Sequence, residues 1–327
     1  VQTCALPICF AALLLALAAF PGAAPAQEYP NRPIRMICPY GAGGASDIVA
    51  RAAAHELSRT LGQSVFVENR TGAGATIGFE AFAASPPDGY TLMATASSLH
   101  GIAAALYAKQ LKYDPNRDVE PIIALAVSNN VLVVHPSVPV KTVPDLVALA
   151  KSQPGQLTFV SAGVGTSVHM AGEMFKHMAG VDMTHVTYKS SVQALVDLIA
   201  GRVNVMFDNI PSALGHIRAG KLRAIATTGP QRAAILPDLP TIAEAGLPGY
   251  EAGVWMGLLA PAGTPKAIRD KLATEVRRIL ALQDVKDRLL TLGATPRPGT
   301  PEEFDALVRN DVARMAKLIR DVGISTE

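Results

Sequence analysis

One junction constrains this sequence more than any other, and it occurs twice: an apolar strand ending in a glycine-rich loop that opens a helix. The first is Ile34-Arg-Met-Ile-Cys-Pro-Tyr-Gly-Ala-Gly-Gly-Ala-Ser-Asp47, the second Leu157-Thr-Phe-Val-Ser-Ala-Gly-Val-Gly-Thr-Ser-Val-His169. Such a junction aims free backbone N–H groups and the positive end of a helix dipole at one point. Two of them, far apart in the chain, predict two half-sites that close on one small anion. Neither carries a nucleophile, a metal cage or a Walker lysine, which favours holding a ligand over transforming it.

At 327 residues the chain is long for one core, so two domains are expected. A formal charge of +2, with no basic run or aromatic-basic strip, argues against nucleic acid. The first 26 residues carry no charge, and the apolar run Phe10–Phe20 is too short to span a bilayer comfortably. Ala24-Pro-Ala26 followed by Gln27-Glu28 completes the pattern of a secretory signal peptide cleaved near Ala26–Gln27, which predicts a periplasmic protein. The cleavage signal disfavours the alternative, a short membrane anchor. The basic n-region is missing and the chain starts at valine, so residues 1 to about 9 read as truncated or mis-joined. Cys4 and Cys9 fall in this segment. Cys38 alone remains, which leaves no intrachain disulfide and reads as a small core residue.

From residue 33 onward strands and helices alternate. Strands are expected at 33–39, 64–68, 90–94, 157–161, 184–188, 203–208 and 222–227, with helices at 46–61, 142–152, 167–179, 192–200 and 211–219. Ser46 is the expected N-cap of the first helix, with Asp47 in its first turn. Residues 69–76 read as a third glycine-rich turn, and 95–100 as a polar loop. The apolar stretches 121–134 and 253–260 read as strands crossing between domains, and helices at 266–282, 284–292 and 302–322 as a cover for the first domain's sheet. The fold class is therefore α/β, each half a doubly wound, mostly parallel sheet flanked by helices. Ligands on such sheets bind at the carboxyl ends of the strands, where all the glycine-rich loops lie.

Gly41-Ala-Gly-Gly44, completed by Ser46, reads as an anion cradle; its spacing fails both the dinucleotide and the Walker patterns. Gly72-Ala-Gly-Ala-Thr-Ile-Gly78 places its last glycine one residue late for a dinucleotide motif and reads as a turn with close helix packing. In the second cradle Thr166 or Ser167 can cap the helix and face a ligand. His169, Glu173 and His177 drift round that helix without a completing ligand, so neither metal nor cofactor is expected. There is no Gly-x-Ser-x-Gly elbow, and His55-Glu-Leu-Ser-Arg59 is not a zincin motif. Asp208, ending an apolar strand, reads equally as a helix cap or a ligand contact. Lys189 reads as a partner for a carboxylate or as a solvated residue of the rim.

Twelve short motifs then appear in order. They are Tyr29-Pro-x-Arg-Pro-Ile-Arg35, Gly43-Gly-x-Ser-Asp47, Val67-Glu-Asn-Arg-x-Gly-Ala-Gly74, Pro87-Asp-Gly-Tyr-Thr-Leu92, Gly165-Thr-Ser-x-His169, His185-Val-x-Tyr-Lys189, Ala200-Gly-x-Val203, Phe207-Asp-Asn209, Gly220-Lys-Leu-Arg-Ala224, Leu236-Pro-Asp-x-Pro-Thr241, Glu244-Ala-Gly-Leu-Pro-Gly249 and Pro261-Ala-Gly-Thr-Pro265. Together they closely resemble the Bug family, the TctC-like periplasmic receptors of tripartite tricarboxylate transporters. The resemblance implies a two-lobed, hinged type II periplasmic-binding fold: lobe 1 from 27–127 and 251–327, lobe 2 from 128–250. It implies capture of a small organic carboxylate (a di- or tricarboxylate, an amino acid or an aromatic acid), delivery to membrane permease subunits, and no catalysis. Carried over, the contacts are Pro39, Tyr40, Gly43, Gly44, Ala45, Ser46, Asp47, Thr95 and Ser97 in lobe 1, and Ser128, Gly165, Thr166, His169 and Asp208 in lobe 2. Two positions depart from the family pattern. The usual Phe-Pro-Pro-Gly-Gly is Tyr40-Gly-Ala-Gly-Gly44 here, and the usual Tyr-Lys-Gly is Tyr188-Lys-Ser190. A ligand sensor with the same fold is an alternative role. So is an exported hydrolase, which would need a hydroxyl, His169 and Asp208 hydrogen-bonded in a chain.

Overall fold

Most βα units bury an apolar strand against an amphipathic helix, the edge strands staying partly exposed, and the units assemble into two parallel sets. The computed structural model describes residues 29–106, 109 and 111–323, so the expected signal peptide lies outside the described residues. In the first set β1 (Ile34–Cys38) pairs in parallel with β2 (Val65–Asn69) and β3 (Thr91–Ala96), linked through helices α1 (Ala45–Leu61) and α2 (Thr76–Ala83). In the second, β5 (Thr158–Ser161) pairs in parallel with β6 (Thr184–Thr187) and β7 (Val205–Asn209), linked through α4 (Ser167–Ala179) and α5 (Ser191–Ile199). Helix α3 (Val143–Ser152) precedes β5, and α6 (Ile210–Arg218) follows β7.

Two long strands join the sets. β4 (Val119–Val134) and β9 (Gly253–Pro261) are antiparallel from Val119↔Pro261 to Asn129↔Gly253. β9 then pairs with β3, and the far end of β4 pairs with β7, giving the continuous order β2-β1-β3-β9-β4-β7-β5-β6. β8 (Arg223–Thr227) and the two-residue β10 (Thr295–Pro296) also pair with β4; β10 carries no recognisable sequence signal. These are the crossing strands expected at 121–134 and 253–260. The described residues from Arg32 onward form one compact unit.

Both faces of the sheet are buried at β5, β7 and the adjoining part of β4, as continuous apolar strands require, while the edge strand β6 is partly exposed. Leu132, Val134, Phe159, Val205 and Phe207 pack one face with Phe175 and Tyr250. Val131, Val133, Val160 and Met206 pack the other with Leu195 and Ile210. The alternation follows the two-residue strand period. Cys38 is a buried free thiol, and its pKa is pushed up to about 12, chiefly by burial.

Two local expectations are corrected. Ser46 is not the cap of α1: Gly44 holds that position, and no side chain caps it. Gly43, at φ +78°, turns the chain, and its N–H bonds back to the Asp47 carboxylate at 2.9 Å, so the helix starts before Ser46. Thr95 belongs to β3 rather than to a loop, because pairing with β9 through Thr95↔Gly257 and Ala96↔Met256 prolongs the strand. A π-helical turn, Ser98–Ala103, follows.

The C-terminal helices are α7 (Lys266–Ala281), α8 (Gln283–Thr291) and α9 (Pro301–Val322). Thr300 and Glu303 form a reciprocal capping box that starts α9. Phe304 on its first turn meets Trp255 of β9 edge-on, with ring centroids 5.3 Å apart, among Ile37, Phe79 and Met93 of the first set. It also lies over Gly257, where an added Cβ would come within 2.2 Å of the Phe304 ring. Phe304→Ala should cost about 3–5 kcal/mol of stability, and Gly257→Ala should also destabilise, both measured by denaturant unfolding.

Candidate functional site

A cavity of about 550 Å³ lies where the carboxyl ends of both parallel sets converge. Its walls come from the segments after β1 (Pro39, Tyr40, Gly41), β2 (Thr71–Ala75), β5 (Ala162–Val164) and β6 (Tyr188–Ser190), and from Asn209 at the end of β7. Helices α1, α4 and α5 present their first residues to it: Ala45 and Ser46, Ser167 and Val168, and Ser191. Among the described backbone hydrogen bonds, none uses the N–H of these five residues. α2 contributes Ile77, and Asn209, the last residue of β7, is the N-cap of α6. Helix first-turn amides have no intrahelical acceptor, so this convergence concentrates positive dipole ends and free donors in one space. Lys189 is the one formally charged side chain among the described lining residues, and it is exposed.

Buried groups hold each loop from behind. The Asp47 carboxylate accepts from the Gly43 N–H (2.9 Å), Arg51 Nε (2.9 Å) and Asn69 Nδ2 (2.8 Å), and Asn69 Nδ2 also donates to the Tyr40 carbonyl (3.0 Å). Burial opposes ionisation of Asp47, but these donors outweigh it and hold its carboxyl below the usual range. Tyr40 Oη lies 3.0 Å from Ser98 Oγ, so the phenol of the altered first loop is anchored in the wall.

In the second cradle Thr166 caps α4, donating to the Gly163 carbonyl (2.7 Å) and accepting the His169 N–H (3.3 Å). Beneath it the His169 ring packs on His185 with centroids 4.4 Å apart, and its Nδ1 accepts the Gly165 N–H at 3.4 Å. Burial lowers His169 to about 3 and His185 to about 4, so both rings are neutral near pH 7.

The two jaws touch. A Cβ added at Gly41 would come within 2.5 Å of Ser190 Cβ, and one at Gly43 within 3.4 Å of Val192. The two departures from the family pattern thus meet in space: where the pattern has a proline in the first loop and a glycine in the second, this chain has Gly41 and Ser190.

Of the residues named from the sequence, Pro39, Tyr40, Gly44, Ala45, Ser46 and Thr166 line the cavity. Gly43, Asp47, Gly165 and His169 sit behind, in the bonds that shape the two loops. Thr95 is buried, with Oγ1 3.1 Å from His100 Nε2; Ser97 is buried and outside the lining. Asp208 is buried behind Ser191. Ser128 donates to the Gly293 carbonyl (2.9 Å) and lines a second, larger cavity of about 970 Å³ beyond β9, beside Trp255 and Arg314. That cavity has neither glycine cradle and one helix start, Ile210 of α6, against three in the smaller one, so the smaller one is the candidate site.

The turn at 72–78 does more than pack. Gly78 is close-packed as expected, its missing Cβ falling 2.5 Å from the Arg70 carbonyl, yet Thr71–Ala75 also line the cavity. The rule that ligands sit at strand carboxyl ends applied to this loop too; its resemblance to a packing turn masked it. Thr187, Ser190, Ser191 and Asn209 also line the cavity but were not among the expected contacts: Asn209 and Ser190 were noted only as part of a motif and as a departure from one, and Thr187 and Ser191 are ordinary polar residues at a strand end and a helix start.

A hydrolase chain is not formed among the described residues. Ser161 Oγ lies 2.7 Å from His185 Nε2, His169 is engaged by Gly165, and Asp208 takes Ser191 and Ser212. No described group of His, Cys, Asp and Glu is arranged to hold a metal.

A cleft of helix starts and polar loops at the strand ends is the build of a solute-binding protein. Residues 49–324 match the model of the tripartite tricarboxylate transporter family receptor, TctC, and the chain belongs to that family. It is 34% identical over 311 residues to Protein BugT of Bordetella pertussis, covering 95% of each chain. Its fold matches R. palustris Rpa4515 with adipate (TM-score 0.89, 36% identity, 91% of this chain and 99% of that one). It also matches MatC (Rpa3494) from Rhodopseudomonas palustris with bound malate (TM-score 0.84, 35% identity, 89% and 100%).

Gly41→Ala should push the jaws apart and weaken solute binding by roughly tenfold or more, because a misplaced donor set loses its alignment with the ligand. Ser190→Gly in the same chain should restore much of that loss, read by isothermal titration calorimetry.

Proposed function

We propose that this protein captures a small organic carboxylate in the 550 Å³ cavity and delivers it to the membrane permease of a tripartite transporter, without catalysis. The observation that carries the reading is the set of unpaired helix-start amides of α1, α4 and α5 facing a cavity whose one formal charge is Lys189. Such amides and dipoles select an anion without a charged clamp. The adipate and malate held by the two similar structures support a carboxylate as the ligand class.

In this reading residues 27–127 and 251–327 make one lobe and 128–250 the other, with β4 and β9 as the hinge, so binding depends on lobe closure. Pro39, Tyr40, Gly44, Ala45, Ser46 and Thr166 contact the ligand directly; Gly43, Asp47, Gly165 and His169 set the contact geometry. Thr95, Ser97, Ser128 and Asp208 act from outside the lining. The protein works in the periplasm after loss of residues 1–26. The absence of arginine from both loops favours ligands of low charge over tightly held tricarboxylates.

The test is native mass spectrometry of the purified protein, followed by calorimetry with adipate, malate, amino acids and aromatic acids. At least one carboxylate should bind in the micromolar range or tighter. No binding across that panel would sink the reading. Lys189→Ala should weaken binding only several-fold, and less so at high salt, because an exposed ammonium is screened.

A further inference from the structure

Asp208 is a carboxyl group with no exposure, placed directly behind an anion site. Its Oδ1 accepts from Ser191 Oγ at 2.8 Å, and its Oδ2 from Ser212 Oγ at 2.6 Å. Ser191 is the first residue of α5 and lines the cavity. The adjoining segments of β4 and β5, residues 130–134 and 158–161, carry no ionisable side chain, and Val131 sits beside Asp208 in register. On the other neighbours, Lys189 precedes α5, His169 of α4 is held by Gly165 and the His185 ring, and His216 lies one turn beyond Ser212 on α6. None of these is a hydrogen-bond or ion-pair partner of Asp208 among the described contacts.

Donor counting gives this arrangement two states. An ionised carboxylate only accepts, and a hydroxyl has one proton to give. With Asp208 ionised, the protons of Ser191 and Ser212 both point at it, and Ser191 has nothing but lone pairs to offer the cavity. A neutral Asp208 has a proton of its own. Given to Ser191 Oγ, it frees the Ser191 O–H to turn toward a bound anion. Ser212 can still donate to the other carboxyl oxygen or to the Asn209 carbonyl, 2.9 Å away. A buried negative charge behind the site also opposes the arrival of a second one. Hydrogen bonding and electrostatics therefore act in the same direction.

Resting on the carboxylate reading above, we propose that ligand capture is coupled to uptake of one proton from solvent at Asp208, with Ser191 as the link between them. The proton returns to solvent when the ligand leaves. Burial, partly offset by the Ser212 and Ser191 hydroxyls and the Asn209 amide, already raises the Asp208 carboxyl to about 6, and a bound anion raises it further. Between those two values the complex holds more protons than the free protein, so affinity falls as pH rises through that window. Below about pH 6 Asp208 is neutral in both states and this dependence disappears.

Calorimetry with adipate, malate and the tightest binder of the panel, in buffers of different ionisation enthalpy at pH 7, reads the proton count. Measurements stay above pH 6, where carboxyl groups of ordinary acidity are ionised on the ligand itself. The wild-type protein should take up a proton fraction approaching one per ligand, and its affinity should fall by up to about tenfold per pH unit within the window. Asp208→Asn keeps the shape and a donor toward Ser191, so it should bind with no proton uptake and a flat pH profile. Ser191→Ala should keep the fold and reduce the proton uptake and the pH slope, leaving only the electrostatic part, and it decides the matter if the Asp208→Asn variant does not fold. Binding without proton uptake in the wild type, or unchanged uptake in both variants, overturns the proposal alone. Failure of the whole panel to bind overturns the receptor reading and the proposal with it.

Discussion

The β4–β9 pair is the interaction on which the rest of this structure depends. Parallel βα sets present their ligand-binding loops at one edge, and two such sets make one cleft only if those edges face each other. The antiparallel ladder from Val119↔Pro261 to Asn129↔Gly253 enforces this, because β9 continues into pairing with β3 while β4 continues into pairing with β7. Phe304 and Trp255 brace the first set against β9. With the ladder in place, Gly41 and Ser190 come into contact although they lie far apart in the chain.

The cleft is lined by helix starts and loop amides, with Lys189 as the one formal charge among its described lining residues. Helix starts and loop amides supply the field, and buried polar groups fix their directions. Two buried aspartates show how environment sets role. Asp47 receives Arg51, Asn69 and the Gly43 amide, stays ionised and acts as a strut for the first loop. Asp208 receives two hydroxyls and the Asn209 amide but no cation, and burial lifts it toward neutrality. The same side chain thus serves as a fixed anchor in one loop and as a proton-accepting group behind the other.

Much of this was legible in the residues. Helices expected at 266–282, 284–292 and 302–322 are found at Lys266–Ala281, Gln283–Thr291 and Pro301–Val322, since their apolar periodicity and caps are local properties. Both glycine cradles were recognisable for the same reason. Thr95 was misassigned because its strand conformation comes from pairing with β9, a segment far along the chain. Ser46 was misassigned as a cap because the competing bond, from the Gly43 amide to Asp47, depends on a carboxylate fixed by Arg51 and Asn69. The loop at 71–75 was read as a packing turn because nothing in its composition says that it faces a cavity.

By itself the sequence determined the α/β class, the order of the units, the two crossing strands and the receptor family, because these rest on periodicity, turn chemistry and motif order along the chain. The tertiary structure alone decided which residues share the cavity, that Gly41 faces Ser190, and that Asp208 stands behind Ser191. Those relations join segments that only the β4–β9 ladder brings together, and no local pattern encodes the distance between them.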